Sequence, residues 1–215
     1  ERLLSDMREY TKVPTLERRV ELVEEMVHEA LEMVRSELDT LEFDTGSIEV
    51  RLEIERQLAV PVAREQIVMA LRNLIKNAHE SILLDGKRLR KGSITISSQA
   101  SEGDAVVIVI ADNGMGLSEE ELNDVIRFIP GRSSKKKRLG TGFGLPIAHR
   151  YVTAHGGAVE IQSADGKGTQ IVVLVVPTTQ PEDIASYANR IANAWKIGRK
   201  EVGDGILVVV AKDDR

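Results

Sequence analysis

Three groups of residues in this chain have types and spacings that could do chemistry. Asn73 and Asn77 are four apart, Asp112 ends an apolar run, and Gly140, Gly142 and Gly144 alternate just before a predicted helix. A carboxylate at the end of a buried strand can accept a hydrogen bond from an exocyclic amine such as that of adenine. Gly114 and Gly116, which follow Asp112, let the backbone approach a flat ring without a Cβ in the way. Glycines opening a helix offer backbone N–H groups and the positive end of its dipole to phosphate oxygens. The side-chain oxygen of Asn77 is a neutral, hard ligand, suited to a magnesium ion held mainly by phosphates and water.

These groups need elements to hold them. From Ala63 to Leu84 the apolar residues Ile67, Ala70, Leu71, Leu74, Ile75, Ala78 and Ile82 repeat with helical period. Asn73 and Asn77 then share one flank of the buried face. Strands are predicted at 48–54, 93–98 and 105–111, the last an unbroken AVVIVIA as in a central strand. A helix with Pro146 in its first turn ends at Gly156 and Gly157, and strands at 158–163 and 169–176 flank an ADGKG turn. Upstream, Glu1 to Lys12 reads as a helix that stops before Pro14. A second helix is predicted with Thr15 as its cap and with Leu16, Val20, Val23, Val27, Ala30, Val34 and Leu38 as its stripe. The elements alternate without a strict βαβ rhythm, so the expected class is α+β.

Composition narrows the function classes. The 215 residues contain no cysteine, which excludes disulfide scaffolds, thiolate metal sites and cysteine nucleophiles. A net charge of -5 and 3% aromatic content argue against a general nucleic-acid binder. No apolar run approaches the roughly 18 residues that span a membrane. A basic cluster that stands out locally is Arg132 with Lys135, Lys136, Lys137 and Arg138.

In order along the chain, NLIKNA, DNGMG, GTGFGL and GKGT resemble the N box and glycine boxes of the Bergerat-type ATP-binding fold. The resemblance covers about residues 15–177 and is nearest to the catalytic, ATP-binding domain of sensor histidine kinases. It implies a two-layer α/β sandwich, with a mixed sheet covered by helices on one face. It also implies that Asn77 coordinates Mg2+, that Asn73 supports the phosphate side and that Asp112 reads adenine. Gly114, Met115 and Gly116 would line the base, and Thr169 would help the adenine contact through solvent. Gly140, Thr141, Gly142, Phe143, Gly144 and Leu145 would cradle the phosphates at the foot of a mobile lid, where Arg132 and Lys135 would swing onto the γ-phosphate. Phe143 stands where the family usually has Leu, and Phe128 in RFIPGRSSKKK approximates its lid phenylalanine. Gyrase-like ATPases carry a glutamate base four residues before the metal asparagine, and here that position is Asn73. Phosphoryl transfer to a protein side chain is favoured over hydrolysis accordingly.

The partners implied are ATP, a histidine-bearing dimerisation domain and a response-regulator receiver domain, with no nucleic acid and no membrane segment. The setting implied is cytoplasmic, including the cytosolic part of a larger receptor. Residues 1–14 resemble the end of the dimerisation helix, so little autophosphorylation is expected of the chain alone. Other functions open to the same fold are a serine protein kinase and a non-catalytic nucleotide-sensing or scaffold module. His79 and His149 are expected on helix surfaces, His155 as a partner of a helix dipole, and His28 on the first helix of the domain. The segment 178–215 is expected to be a linker followed by a helix and strand that resemble part of a TPM domain.

Overall fold

The computed structural model describes residues 2–14, 16–86, 91–101, 105–131, 140–175 and 206–209. The elements are α1 (Arg2–Thr11), β1 (Arg19–Leu22), α2 (Val23–Thr40), β2 (Ile48–Ile54), β3 (Ala59–Val62), α3 (Arg64–Leu83), β4 (Gly92–Ala100), β5 (Val106–Asp112), α4 (Glu119–Val125), α5 (Gly144–Ala154), β6 (Ala158–Ala164), β7 (Gly168–Val175) and β8 (Ile206–Val209). Six strands form one sheet in the order β2-β4-β5-β7-β6-β8, while β1 and β3 pair as a separate ribbon. Among the described strands only β2 and β4 run parallel, with Ile48 opposite Gly92, and the remaining pairs are antiparallel. The class is α+β, as expected, and the sheet is mixed.

Period-2 alternation separates the two faces of the sheet. Ile94 and Ile96 of β4, Ile108 and Ile110 of β5, Ile161 of β6 and Ile171 and Val173 of β7 point to the helical layer and are buried. Against them α3 packs Ile67, Leu71, Leu74, Ile75 and Ile82. Each such side chain contributes about 1.5–3 kcal/mol on burial, so α3 is fixed firmly enough to position the asparagines it carries. The opposite face holds a smaller cluster of Ala105, Val107, Ala158, Val172 and Leu174. Glu160 is buried on this second face, and its carboxyl is pushed up by desolvation although Gln162 donates to its Oε1 at 2.8 Å.

Several expectations are corrected. The second helix begins at Val23; Val20 lies in β1 and is three-quarters exposed, so the stripe holds from Val23 to Leu38 and not before. Leu22 caps that helix without a side-chain bond, and Thr15 lies outside the described residues. Neither ribbon strand was expected: Pro61 in AVPV argues against a central strand, and the structure pairs it at the ribbon, opposite Val20. The polar region after Asp112 contains α4, whose Ser118 and Glu121 form a capping box.

His28 lies exposed on α2, as expected, but the other three histidines differ from expectation. His79 is buried and donates from Nδ1 to Ile75 O at 2.9 Å, and desolvation lowers its pKa. His149 stacks on Phe128 with ring centroids 3.9 Å apart, and burial lowers its pKa too. His155 is buried and neutral: Nδ1–H donates to Tyr151 O at 2.7 Å while Nε2 accepts from Ala63 N at 3.0 Å. An imidazole with one nitrogen donating and the other accepting has no second proton to give a helix dipole, so the dipole role is overturned.

Candidate functional site

The end of β5, the flank of α3, the start of α5 and the β6–β7 turn meet around a cavity of about 330 Å3. Asn73, Asn77, Asp112, Met115, Gly116 and Thr169 line it, as do Gly140, Thr141, Gly142, Gly144 and Leu145. Most sequence-predicted residues are therefore brought together. Gly114 and Phe143 are not in the lining. Phe143 precedes the first turn of α5 and meets Tyr10 edge-on, with centroids 5.9 Å apart. Arg132 and Lys135 lie outside the described residues.

Antiparallel register places Asp112 directly opposite Thr169. Asp112 Oδ1 accepts from Gly114 N at 2.8 Å, which turns the chain sharply off the strand. Asn113 fastens the same turn to the edge of β4, accepting from Ser93 N at 2.8 Å and donating to Lys91 O at 2.9 Å. Ser163 Oγ joins the two sides, accepting from Leu117 N at 2.9 Å and lying 2.9 Å from Thr169 Oγ1. The glycines of this loop serve close approach to the chain's own backbone. A Cβ on Gly114 would stand 2.6 Å from the Ser81 carbonyl carbon, and one on Gly116, at φ +68°, would stand 2.0 Å from Ala164 O.

On the opposite wall Asn73 is buried, and its Oδ1 accepts from Arg72 Nη1 at 3.1 Å. A Cβ on Gly144, the first residue of α5, would lie 3.6 Å from that oxygen. Asn73 thus sits beside the helix N-terminus, where anions are favoured. Among the described residues no three His, Cys, Asp or Glu side chains converge to hold a metal ion. One amide oxygen from Asn77 fits Mg2+ bound chiefly through phosphate and water, and does not fit a metal held by the protein alone.

Sequence reasoning missed three features of this cleft. Arg72, Lys76 and Glu80 form an i, i+4 stripe beside the asparagine stripe, a spacing that was legible. Glu120, Glu121 and Asp124 of the α4 region also line it. Asp6 arrives from α1 and accepts from Thr141 Oγ1 at 2.5 Å, while Glu9 accepts from the Tyr151 hydroxyl. Burial, and after it that second bond, pushes the phenol up, beyond the usual tyrosine range. No local pattern announces contacts between residues more than a hundred positions apart.

The sequence profile described as histidine kinase-, DNA gyrase B-, and HSP90-like ATPase matches residues 62–180. That of the TPM domain matches residues 161–215. Sporulation kinase D of Bacillus subtilis is 35% identical over 129 residues, which are 59% of this chain and 23% of that protein. Nitrogen regulation protein NtrY of Azorhizobium caulinodans is 33% identical over 150 residues, 66% of this chain and 19% of that one. The chain spans less than a quarter of either relative. Among solved structures, the catalytic domain of histidine kinase ThkA superposes with a TM-score of 0.60 at 23% identity, covering 75% of this chain and 97% of that one. Full-length ShkA in complex with AMPPNP gives 0.65 at 19% identity, covering 82% and 35%. These two likenesses concern the fold.

Proposed function

From the premise that the chain belongs to the family of histidine kinase-, DNA gyrase B- and HSP90-like ATPases, within it the histidine kinase catalytic domains, we propose that it binds MgATP and transfers the γ-phosphoryl group to a histidine on a dimerisation segment. The observation that carries this reading is the single cleft in which Asp112 and Thr169 face Asn77 and the Gly140–Gly144 loop. Asp112 accepts the adenine amine, Thr169 assists through solvent, and the 140–144 backbone with the α5 N-terminus receives the phosphates. Arg132 and Lys135 are taken to close on the γ-phosphate from the lid. Bound at Asn77, Mg2+ supplies charge neutralisation on the phosphate oxygens. In the transfer the bond between the β–γ bridging oxygen and the γ-phosphorus breaks, a bond from phosphorus to an imidazole nitrogen forms, and ADP departs. Asn73 has no carboxylate to activate water, so positioning and electrostatics bear the catalysis.

The catalytic unit is taken as residues 15–177, with 1–14 as the end of a dimerisation helix, a cytoplasmic setting and a response-regulator receiver domain as the next acceptor. The test is calorimetric titration with a non-hydrolysable ATP analogue, with and without Mg2+, beside Asp112→Ala and Asn77→Ala. Loss of one charge-assisted hydrogen bond, about 1.5–3 kcal/mol, weakens Asp112→Ala binding at least roughly tenfold. Asn77→Ala should abolish the benefit of Mg2+. Acid-labile phosphate on a supplied dimerisation segment then identifies histidine as acceptor; acid-stable phosphate would identify serine and overturn that part. A wild-type chain that is folded and binds no nucleotide overturns the reading as a whole.

A further inference from the structure

The charges around the cleft are lopsided. Asp6, Glu80, Asp112, Glu120, Glu121 and Asp124 place six carboxylates in its lining, and among the described lining residues only Arg72 and Lys76 are cationic. A triphosphate entering such a cleft meets strong repulsion unless cations stand at its phosphate end. Arg72 and Lys76, one helical turn apart on α3, are the described cations of this lining. Arg72 holds the oxygen of Asn73, which adjoins the first residue of α5.

What fixes them is Glu37 of α2, which is not in the lining. Its Oε1 accepts from Lys76 Nζ at 2.6 Å, and its Oε2 pairs with Arg72 Nη2. Glu80 lies 3.8 Å from the same Lys76 nitrogen. All four side chains are mostly shielded, with 3% to 21% of their surface exposed. Holding α2 against α3 does not by itself call for this arrangement, because partly buried ion pairs gain little over apolar packing once desolvation is counted. Arg64 also joins α3 to α2 and β1, through Glu21, Glu25 and Glu29, and it does so away from the cleft.

Resting on the nucleotide site proposed above, we infer that Arg72 and Lys76 are the counter-charge for the terminal phosphates, gripped from behind by Glu37 as a positioning residue. They make the floor of the site discriminate by phosphate number. An added phosphate brings negative charge toward two oriented cations, whereas adenosine and its first phosphate are bound by the β5 end and the glycine loop. The floor differs from a lid in that its cations sit on a packed helix and need no closure to reach the ligand.

The experiment measures dissociation constants of the full chain for AMP, ADP and a non-hydrolysable ATP analogue, all with Mg2+, in wild type, Arg72→Gln, Lys76→Gln, Lys76→Arg and the matched control Arg64→Gln. Thermal midpoints serve as the check of folding. Arg72→Gln and Lys76→Gln are each expected to cut the preference for the ATP analogue over AMP about tenfold, with ADP between. Lys76→Arg, which keeps the charge, should stay within about threefold of wild type. Arg64→Gln should lower the thermal midpoint and leave the preference unmoved. If the wild type binds the ATP analogue and both glutamine variants keep its preference, the cluster is only a tie between helices and the inference falls. Either glutamine variant suffices if the other does not fold. A wild type that binds none of the three nucleotides sinks the site itself, and this inference with it.

Discussion

Nε2 of His155 accepts the backbone N–H of Ala63 at 3.0 Å, so the residue that caps the C-terminal end of α5 also satisfies the residue that opens α3. The two helices that meet beside Asn73 are joined by one imidazole, which is held neutral by burial and by the Ala63 N–H that its Nε2 accepts, against the opposing pull of the bond it donates to Tyr151 O.

This link predicts a pH dependence with a definite sign. His79, His149 and His155 all have pKa values lowered by desolvation from an ordinary 6.5. The unfolded chain takes up protons near pH 6.5 that the folded chain excludes, so stability is fully present above that pH and declines as pH falls toward the folded values. Replacing His155 with Phe leaves the Ala63 N–H buried without its acceptor, at a cost of about 1–3 kcal/mol. Urea unfolding at pH 5.5, 6.5 and 8 should show that loss at pH 8 and a shallower decline below pH 6.5. An unchanged acid slope in the variant would remove His155 from the account.

Glu160 predicts the reverse sign. Its folded pKa is raised, so the stability linked to its protonation is present below the unfolded value of 4.5 and is lost as pH rises through the folded value. Among the described residues its Oε2 has no hydrogen-bond partner. Glu160→Gln, which removes a buried charge and keeps the shape, should raise the thermal midpoint by roughly 2–4 °C at pH 7.5 and much less at pH 4. A lower midpoint at pH 7.5 would mean that the charge is compensated.

Two glycines of equal φ should respond very differently to a methyl group. Gly116 and Gly166 both have φ +68°, but a Cβ on Gly166 meets nothing within 4 Å, while one on Gly116 would overlap Ala164 O. Gly166→Ala should cost about 1 kcal/mol from the left-handed conformation alone. Gly116→Ala should add about 3 kcal/mol of overpacking and displace the loop after Asp112, with loss of nucleotide affinity. Denaturant melts and nucleotide titration of the pair check this; equal effects would contradict the packing argument.

What could be read in advance follows from range. Asn73 and Asn77 were legible because a helix repeats every 3.6 residues and α3 is helical from Arg64 to Leu83. Asp112 was legible because it closes an apolar run that is indeed the interior strand β5. The start of α2 differs from expectation because Leu16 and Val20 continue its apolar spacing upstream, although Leu16 lies outside any regular element and Val20 lies in the ribbon strand β1, and period alone cannot separate these cases. The link from Glu37 to Arg72 and Lys76 crosses 35 and 39 positions between helices, and side-chain pairs of that kind emerge only from packing.

The parallel pairing of β2 with β4 also has a consequence for the order of assembly. Ile48 cannot meet Gly92 until β3 and the whole of α3 have been looped out between them. The β4–β5 and β6–β7 pairs, by contrast, join neighbours along the chain. Loop-closure entropy and contact order favour those hairpins first and the β2 edge last. Amide hydrogens of β2 are accordingly expected to exchange through partial openings that leave β5 and β7 protected, so that the strands bearing Asp112 and Thr169 outlast this edge of the sheet.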